Sequence, residues 1–217
     1  MRALWPWLLC IPAIAAADPR DPRDVRARRA LAVIDGTAMV KLRDTQDGNY
    51  RLRRPQYSYG APHVVGHLQR AIAEVRALYP RVHTLAIGDL SAPEGGKLAN
   101  HLSHRTGVDV DVGLYFTKLP AGYPDHFAPA NDDLDLEATW ALVTAFARTS
   151  DLPTGVQVMF LDYDIQARLH AWARKRGTPD TQLADILQYP RGRDAIAGMV
   201  RHWPSHTDHL HVRFKAR

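Results

Sequence analysis

The stretch NHLSHRTGVDVDVGLYF, residues 100–116, places two histidines and two aspartates directly before an apolar segment. Valines alternate with Asp109 and Asp111 in its second half, a pattern typical of a strand with one face in the core. A buried carboxylate is costly unless it is paired or bound to a metal. The stretch therefore predicts a strand whose second face carries a polar site.

A second stretch, DHLHVRF at residues 208–214, places His209 and His211 two positions apart on a predicted strand. Side chains at i and i+2 share a face of a strand, so both imidazoles can point at one spot. The pair is a weak signal by itself, because the chain has 11 histidines. A surface strand with two solvated histidines would show the same pattern.

Taken together, the two stretches offer His104, Asp111 and His211 as a set of metal ligands. Two nitrogens and one oxygen, with a fourth position open, are typical of a catalytic zinc site. Separately, His104 fits a loop histidine and Asp111 fits a carboxylate paired with an arginine. The single cysteine, Cys10, lies in the first segment of the chain, so sulfur ligands are not expected. The combination predicts a Zn²⁺ site.

The rest of the chain predicts one α+β domain: a small, mostly antiparallel sheet that carries the zinc site and is flanked by helices. Apolar residues recur at helical spacing in several segments, and short apolar or alternating runs predict strands. The predicted helices lie at 67–79, 135–148, 164–177, 181–189 and 192–200, and the further strands at 84–90, 155–160 and 208–214.

The first residues are typical of a cleaved secretory signal peptide, predicted at 1–17, with a basic start, an apolar run and small residues at its end. An uncleaved anchor or a buried strand are the alternatives. Residues 18–56, rich in Asp, Arg and Pro, are predicted to be an exposed lead segment, and 57–217 the zinc domain. Export to the periplasm, without stable membrane insertion after cleavage, follows from this interpretation.

The net charge of +5 and a pI near 9.5 favour an anionic partner. No long Lys/Arg block and no basic stripe with interleaved aromatics is present, so we do not expect nucleic acid to be that partner. An anionic wall polymer fits better. The sequence leaves the oligomeric state open.

Three motifs, IGDLSAPEGG, HLSHRTGVDVDVGLYF and WPSHTDHLHVRF, resemble those of the penicillin-insensitive murein endopeptidases. These zinc enzymes belong to the lysostaphin and D-Ala-D-Ala metallopeptidase group, and the resemblance runs from about Tyr59 onward. It implies that His104, Asp111 and His211 bind zinc. Arg105 and Val108 stand where the family usually has glutamine and arginine.

The resemblance also implies roles for the residues around the metal. His209 falls on the histidine that stands beside the metal without binding it, and His206, three residues after Trp203, on a second active-site histidine. His101 falls on a histidine implicated in an additional metal contact. We expect Trp203 and Asp109 next to these groups, and either Asp109 or Asp208 to orient an imidazole.

The function that the resemblance implies is hydrolysis of peptidoglycan cross-links at the D-alanyl to meso-diaminopimelyl amide. As a hypothesis, His209 acts as the base, and a protonated His206 steadies the oxyanion or protonates the leaving amine. Without a serine nucleophile, penicillin should not inhibit the reaction. The alternatives are a zinc carboxypeptidase or dipeptidase that trims stem peptides, and a non-catalytic wall-binding module.

Overall fold

The computed structural model describes residues 39–45, 47–99 and 101–216. The predicted signal peptide and the lead segment up to residue 38 lie outside the described residues, so both stay predictions. No helix in the described ranges is long and apolar enough to cross a membrane.

Strands dominate the centre of the molecule. In chain order they are Val40–Lys41 (β1), Tyr50–Leu52 (β2), Tyr59–Gly60 (β3), Leu85–Ile87 (β4), Asp109–Gly113 (β5), Val156–Phe160 (β6), Val200–Arg201 (β7) and His209–Phe214 (β8). Within the described residues, β2-β4-β5-β8-β6-β7 form one sheet, and β1 pairs with β3 apart from it. The central pairs β4/β5, β5/β8 and β8/β6 are antiparallel, whereas β2/β4 and β6/β7 are parallel.

Four helices accompany the strands in the described part of the chain: Pro62–Leu78 (α1), Leu136–Ala147 (α2), Tyr163–Lys175 (α3) and Asp180–Ile186 (α4). Local chemistry sets their ends. The Asp135 carboxylate accepts the Ala138 N–H at 3.0 Å and so caps the start of α2. Gly177, at φ +89°, ends α3, where the Thr178 N–H donates to the Ala173 carbonyl at 3.0 Å.

One apolar cluster joins the helices to the sheet. On α1 the buried residues recur every three or four positions, as a helix with one face in the core requires. Val110 and Val112 of β5 and Val212 and Phe214 of β8 are fully buried within the same cluster. The valine face of β5 therefore faces the core, as its alternation indicates, and the aspartates lie on the other face. The predicted fold class, an α+β domain with a mostly antiparallel sheet and flanking helices, is confirmed.

Two local predictions differ from the structure. The helix predicted at 192–200 is wrong: Gly192 and Gly198 adopt φ of +95° and +75°, which a helix cannot accommodate, and Val200 begins β7. The exposed lead segment does not extend over Tyr50–Leu52, because this segment is strand β2 of the main sheet. The first and last residues of this strand, Tyr50 and Leu52, are buried.

Candidate metal centre

The register between β5 and β8 brings the two sequence motifs together. Asp111 lies directly opposite His211, Asp109 opposite Arg213, and Gly113 opposite His209. Directly opposed residues on one face of an antiparallel pair are close neighbours. Two segments about a hundred positions apart in the chain therefore share one polar face at the centre of the sheet.

His104 reaches this face from the loop that precedes β5. Its backbone is left-handed, with φ of +60°, and its N–H donates to Asp109 Oδ2 at 3.3 Å. Its Nδ1 lies 3.1 Å from the Leu90 carbonyl. Because a carbonyl only accepts, Nδ1 carries a proton and donates it, so Nε2 is the nitrogen that can bind a metal once it is deprotonated. Nε2 lies 3.2 Å from Asp111 Oδ1.

Three imidazoles converge on the same oxygen of Asp111. Oδ1 lies 3.2 Å from His104 Nε2, 3.1 Å from His211 Nδ1 and 3.6 Å from His209 Nε2. Nevertheless, Asp111 Oδ1 and His104 Nε2 are buried and make no hydrogen bond within the described structure. Unsatisfied buried polar atoms are rare in folded proteins and need a partner. A divalent cation fits this set of nitrogen and oxygen donors.

Without a cation, a proton on His104 balances the negative charge of Asp111. Burial lowers the pKa of His104, but the Asp111 carboxylate more than compensates and raises this pKa to about 9. Burial acts to raise the pKa of Asp111, and the surrounding histidines, His104 first, hold it well below the ordinary value. The metal-free centre is therefore a protonated histidine beside an ionised carboxylate.

His101 lies on the other side of His104, with the two ring centroids 4.5 Å apart. Ligand-type atoms of His101, His104 and Asp111 all fall within 4.8 Å of one another, so these three described residues form a group that could hold a metal ion. Its Nε2 also lies 2.9 Å from Asp89 Oδ2. The buried Asp89 in turn pairs with Arg54. Asp89 lies in the IGDLSAPEGG motif, but no spacing in the sequence relates it to His101.

The Asp109 carboxylate contacts both His211 and Arg213. Its Oδ1 lies 2.9 Å from His211 Nε2 and 2.7 Å from Arg213 Nε. Burial acts to raise the pKa of Asp109, but Arg213 and His211 hold it far below the ordinary value, so the group is ionised. An anion at Nε2 directs the Nδ1 lone pair of His211 toward Asp111, as carboxylates do behind metal-binding histidines.

His209 is held differently from His211. Its Nδ1 donates to Asp208 Oδ1 at 2.6 Å, and its Nε2 faces Asp111 Oδ1 at 3.6 Å. Of the two candidate orienting residues, Asp109 therefore contacts the expected ligand His211, and Asp208 contacts the expected base His209.

His206 and Trp203 complete the site. The His206 ring lies 4.7 Å from that of His209, and Trp203 packs on Phe160 at 5.9 Å. Burial first, and then the charges of His211 and His209, lower the pKa of His206 to about 3. Its imidazole is thus neutral at pH 7, with Nδ1 donating to the Pro204 carbonyl at 3.0 Å. The hypothesis of a protonated His206 in the resting site has no support in this geometry.

The site opens into a cavity of about 470 Å³. Its lining combines imidazoles with apolar groups: His101, Leu102, Ser103, Asp111, Phe160, Trp203, Pro204, Ser205, His206, His209, His211 and Arg213. Phe160 lies 5.5 Å from the His211 ring and forms an apolar wall beside the donors. A cavity of this size, in which polar groups converge beside an apolar wall, is typical of a binding site for a small molecule or a peptide segment.

Comparisons with known proteins identify the family of the chain. A Salmonella paratyphi C protein named penicillin-insensitive murein endopeptidase is 28% identical over 173 residues, which cover 78% of this chain and 59% of the relative. Proteins of that name from Salmonella newport and Salmonella typhimurium are 29% identical over 175 residues, with the same coverage. This chain thus spans less than two thirds of their length. A family model described as penicillin-insensitive murein endopeptidase matches residues 33–141, half of the chain. The chain belongs to the penicillin-insensitive murein endopeptidase family.

Proposed function

We propose that the protein is an exported zinc metallopeptidase that hydrolyses the D-alanyl to meso-diaminopimelyl cross-links of peptidoglycan. The observation that carries this proposal is that His104 Nε2 and Asp111 Oδ1 are buried without a hydrogen bond, beside an open cavity that Asp111 lines. The names of the relatives support the substrate class. The basic charge of the chain suits an anionic wall polymer.

His104, Asp111 and His211 would hold the zinc ion, and His101 stands ready as a further contact. When bound, zinc supplies Lewis-acid activation of a water molecule and of the scissile carbonyl. The preference for zinc rests on donors that are nitrogen and oxygen only, with one carboxylate, so that the loaded site keeps a positive charge. Asp109 keeps His211 in the orientation that binding requires.

His209 provides the proton transfer. Its unprotonated Nε2 faces the donor set, and accepts the proton of the attacking water. Asp208 stabilises the resulting imidazolium through the Nδ1 hydrogen bond of 2.6 Å. His209 then passes the proton to the leaving amine. His206, as a neutral imidazole whose Nε2 accepts a hydrogen bond, orients an N–H group of the substrate.

No step of this scheme uses a serine nucleophile, so penicillin should leave the activity unchanged. Cleavage of the predicted signal at 1–17 would deliver the protein to the periplasm, where its substrate lies. A lead segment that follows the signal belongs to the same proposal, with the zinc domain already under way at strand β2.

Digestion of cross-linked peptidoglycan by the purified protein, with fragments resolved by mass, tests the proposal. We expect loss of dimeric muropeptides and an equal gain of monomers, blocked by a chelator and unaffected by penicillin. His209→Ala should retain zinc and lose the activity, while His170→Ala, on the outer helix α3, serves as the control.

Other outcomes would replace the proposal. Intact dimers with shortened stem peptides would indicate the carboxypeptidase or dipeptidase. Zinc binding in full with no cleavage would indicate a wall-binding module.

A further inference from the structure

Phe127 lies against the ring of His209, although the scheme above gives it no part. The ring centroids are 5.0 Å apart and the planes differ by 12°. This is an offset stack, one of the favoured arrangements of aromatic pairs. Phe127 lies in the segment 117–135 between β5 and α2, which carries none of the expected ligands.

The Phe127 ring is fixed by contacts on its face and its edge. The Arg53 guanidinium lies over the ring, with its carbon 3.9 Å from the centroid. The ring edge packs against Gly88, where an added Cβ would come within 2.8 Å of Phe127 Cζ and 2.9 Å of Asp111 Cβ. The absence of a side chain at Gly88 thus lets the ring and the metal-binding carboxylate lie close together.

Hydrogen bonds hold the segment 117–135 in place on both sides of the Phe127 ring. The Tyr123 hydroxyl donates to the Leu114 carbonyl at 2.9 Å and accepts the Ala86 N–H at 3.0 Å. The Ala130 N–H donates to the Thr207 carbonyl at 2.8 Å, next to Asp208. Phe127 is therefore carried by a segment anchored both to the sheet and to the loop that holds His209's partner.

The His209 imidazole is joined to the backbone through Cβ and held at Nδ1 by Asp208, but the Asp208 side chain is 34% exposed, so the two side chains can still move together. A stacked neighbour restricts the plane of the ring as well. We infer that Phe127, braced by Arg53 and Gly88, is a positioning residue that keeps His209 Nε2 directed at the metal centre. As a part of the reaction, this role rests on the proposed function.

A measurement without substrate tests the geometry. In the metal-free protein, the ring current of Phe127 should move the carbon-bound imidazole protons of His209 upfield, with assignment by comparison with His209→Ala. In Phe127→Leu these signals should move downfield toward ordinary histidine positions, and in Arg53→Gln they should move part of the way. Signals that stay unchanged in Phe127→Leu would overturn the inference, whether or not the protein cuts peptidoglycan.

Kinetics of muropeptide cleavage test the consequence. Phe127→Leu should lower kcat at least tenfold with KM within about twofold and zinc content unchanged, because the substrate and the metal do not depend on the stack. Arg53→Gln should lower kcat by about threefold, and gives a second reading if the leucine variant folds poorly. Tyr79→Leu, which removes a half-buried ring far from the site, is the control.

A rise of KM alone would make Phe127 a substrate contact, and unchanged kcat would leave it a structural residue; either would overturn the inference. Failure of the wild-type protein to cut any dimer would instead overturn the proposed function, while the imidazole signals would still decide the position of His209.

Discussion

The two nitrogens of His209 have different neighbours, and this difference determines which of them can act as a base. Nδ1 donates to Asp208 at 2.6 Å, and Nε2 lies 3.6 Å from Asp111 Oδ1. Burial acts to raise the pKa of Asp208, but the hydrogen bond and charge of His209 lower it overall, so the carboxylate is ionised. An ionised acceptor selects the tautomer whose Nε2 is free.

Asp208→Asn should therefore reduce activity without removing the metal. An asparagine can present its NH₂ group to Nδ1, which favours the tautomer with the proton on Nε2. In serine hydrolases such a change lowers kcat by up to about 10⁴, and here we expect a loss of roughly 100-fold or more. Muropeptide kinetics and zinc analysis measure this, with the exposed Asp132→Asn as the control. Full activity in Asp208→Asn would contradict the assignment of the base.

A second prediction at this scale concerns the proton on His104. Its pKa of about 9 in the metal-free site means that this imidazole is protonated at pH 7. A metal must displace that proton, so zinc binding should release close to one proton per site, and apparent affinity should rise with pH up to about 9. Calorimetry in buffers of different ionisation enthalpy measures the release. Zinc binding with no proton release, or with affinity that falls as pH rises, would contradict the paired state of His104 and Asp111.

At the scale of elements, a second glycine, in β5 itself, allows a neighbouring segment to pack closely against the sheet. Gly113 in this strand lies under Tyr123, and an added Cβ would come within 2.4 Å of the Tyr123 hydroxyl oxygen and 3.1 Å of Ala86 Cβ. The segment 117–135 can therefore lie flat on the sheet only if position 113 has no side chain.

Gly113→Ala should destabilise the protein by about 1–3 kcal/mol, the usual range for overpacking a core. Tyr123→Phe removes the crowded oxygen but leaves the Ala86 N–H and the Leu114 carbonyl without a partner, at a cost of about 1–3 kcal/mol. The double variant should lose less than the sum of the two, because the clash is relieved. Denaturant unfolding of the four proteins measures the coupling, and strictly additive losses would contradict the contact.

The sequence predicted elements well where its pattern was periodic and poorly where pairing decided the outcome. The alternation around Asp111 and the His-x-His pair predicted β5 and β8 and the face that each presents. Tyr50–Leu52 is a strand only because β4 lies beside it, and three residues carry too little pattern to show that. The same holds for the stack of Phe127 on His209, since no spacing in the sequence relates the two.

For the whole molecule, the buried charges of the metal centre govern stability in acid. Asp109 is ionised in the folded protein at pH values where it would be protonated in the unfolded chain. A lowered pKa contributes stability above the unfolded value, near 3.9, that is lost as the pH falls below it. Metal-free protein should therefore begin to lose stability as the pH falls below about 5, and the loss should steepen below pH 4 and continue below pH 3.

Asp109→Asn should weaken the dependence of the unfolding free energy on pH. The variant should also be less stable at neutral pH by about 3–5 kcal/mol, because the buried Arg213 would lose its anion. Urea unfolding of the metal-free proteins at pH 7, pH 5 and pH 3 measures both effects. Asp180→Asn, which breaks an exposed pair with Arg174, is the control and should have the stability of the wild type at each pH. If Asp109→Asn also had wild-type stability, the charge of Asp109 would be solvated rather than paired, and the prediction would be wrong.

The overall architecture followed from the sequence because helical and strand periods are local properties. The donor set His104, Asp111 and His211 followed from residue types and spacing, and the roles of these donors remain predictions. The residues that support these donors did not follow from the sequence. Asp89 lies beside His101, and Arg213 beside Asp109, only because of the register of β4, β5 and β8. A sequence without pairing information cannot specify which carboxylate supports which imidazole.

The place of β8 in the sheet has a consequence for the order of synthesis. This strand follows β1 to β7 in the chain, yet it lies between β5 and β6. A chain that emerges from its amino end thus carries His104 and Asp111 long before His211, and the sheet stays split until the last strand inserts. Assembly of the centre and closure of the sheet are then one event, so a chain that has not yet added β8 has neither the full donor set nor a closed sheet.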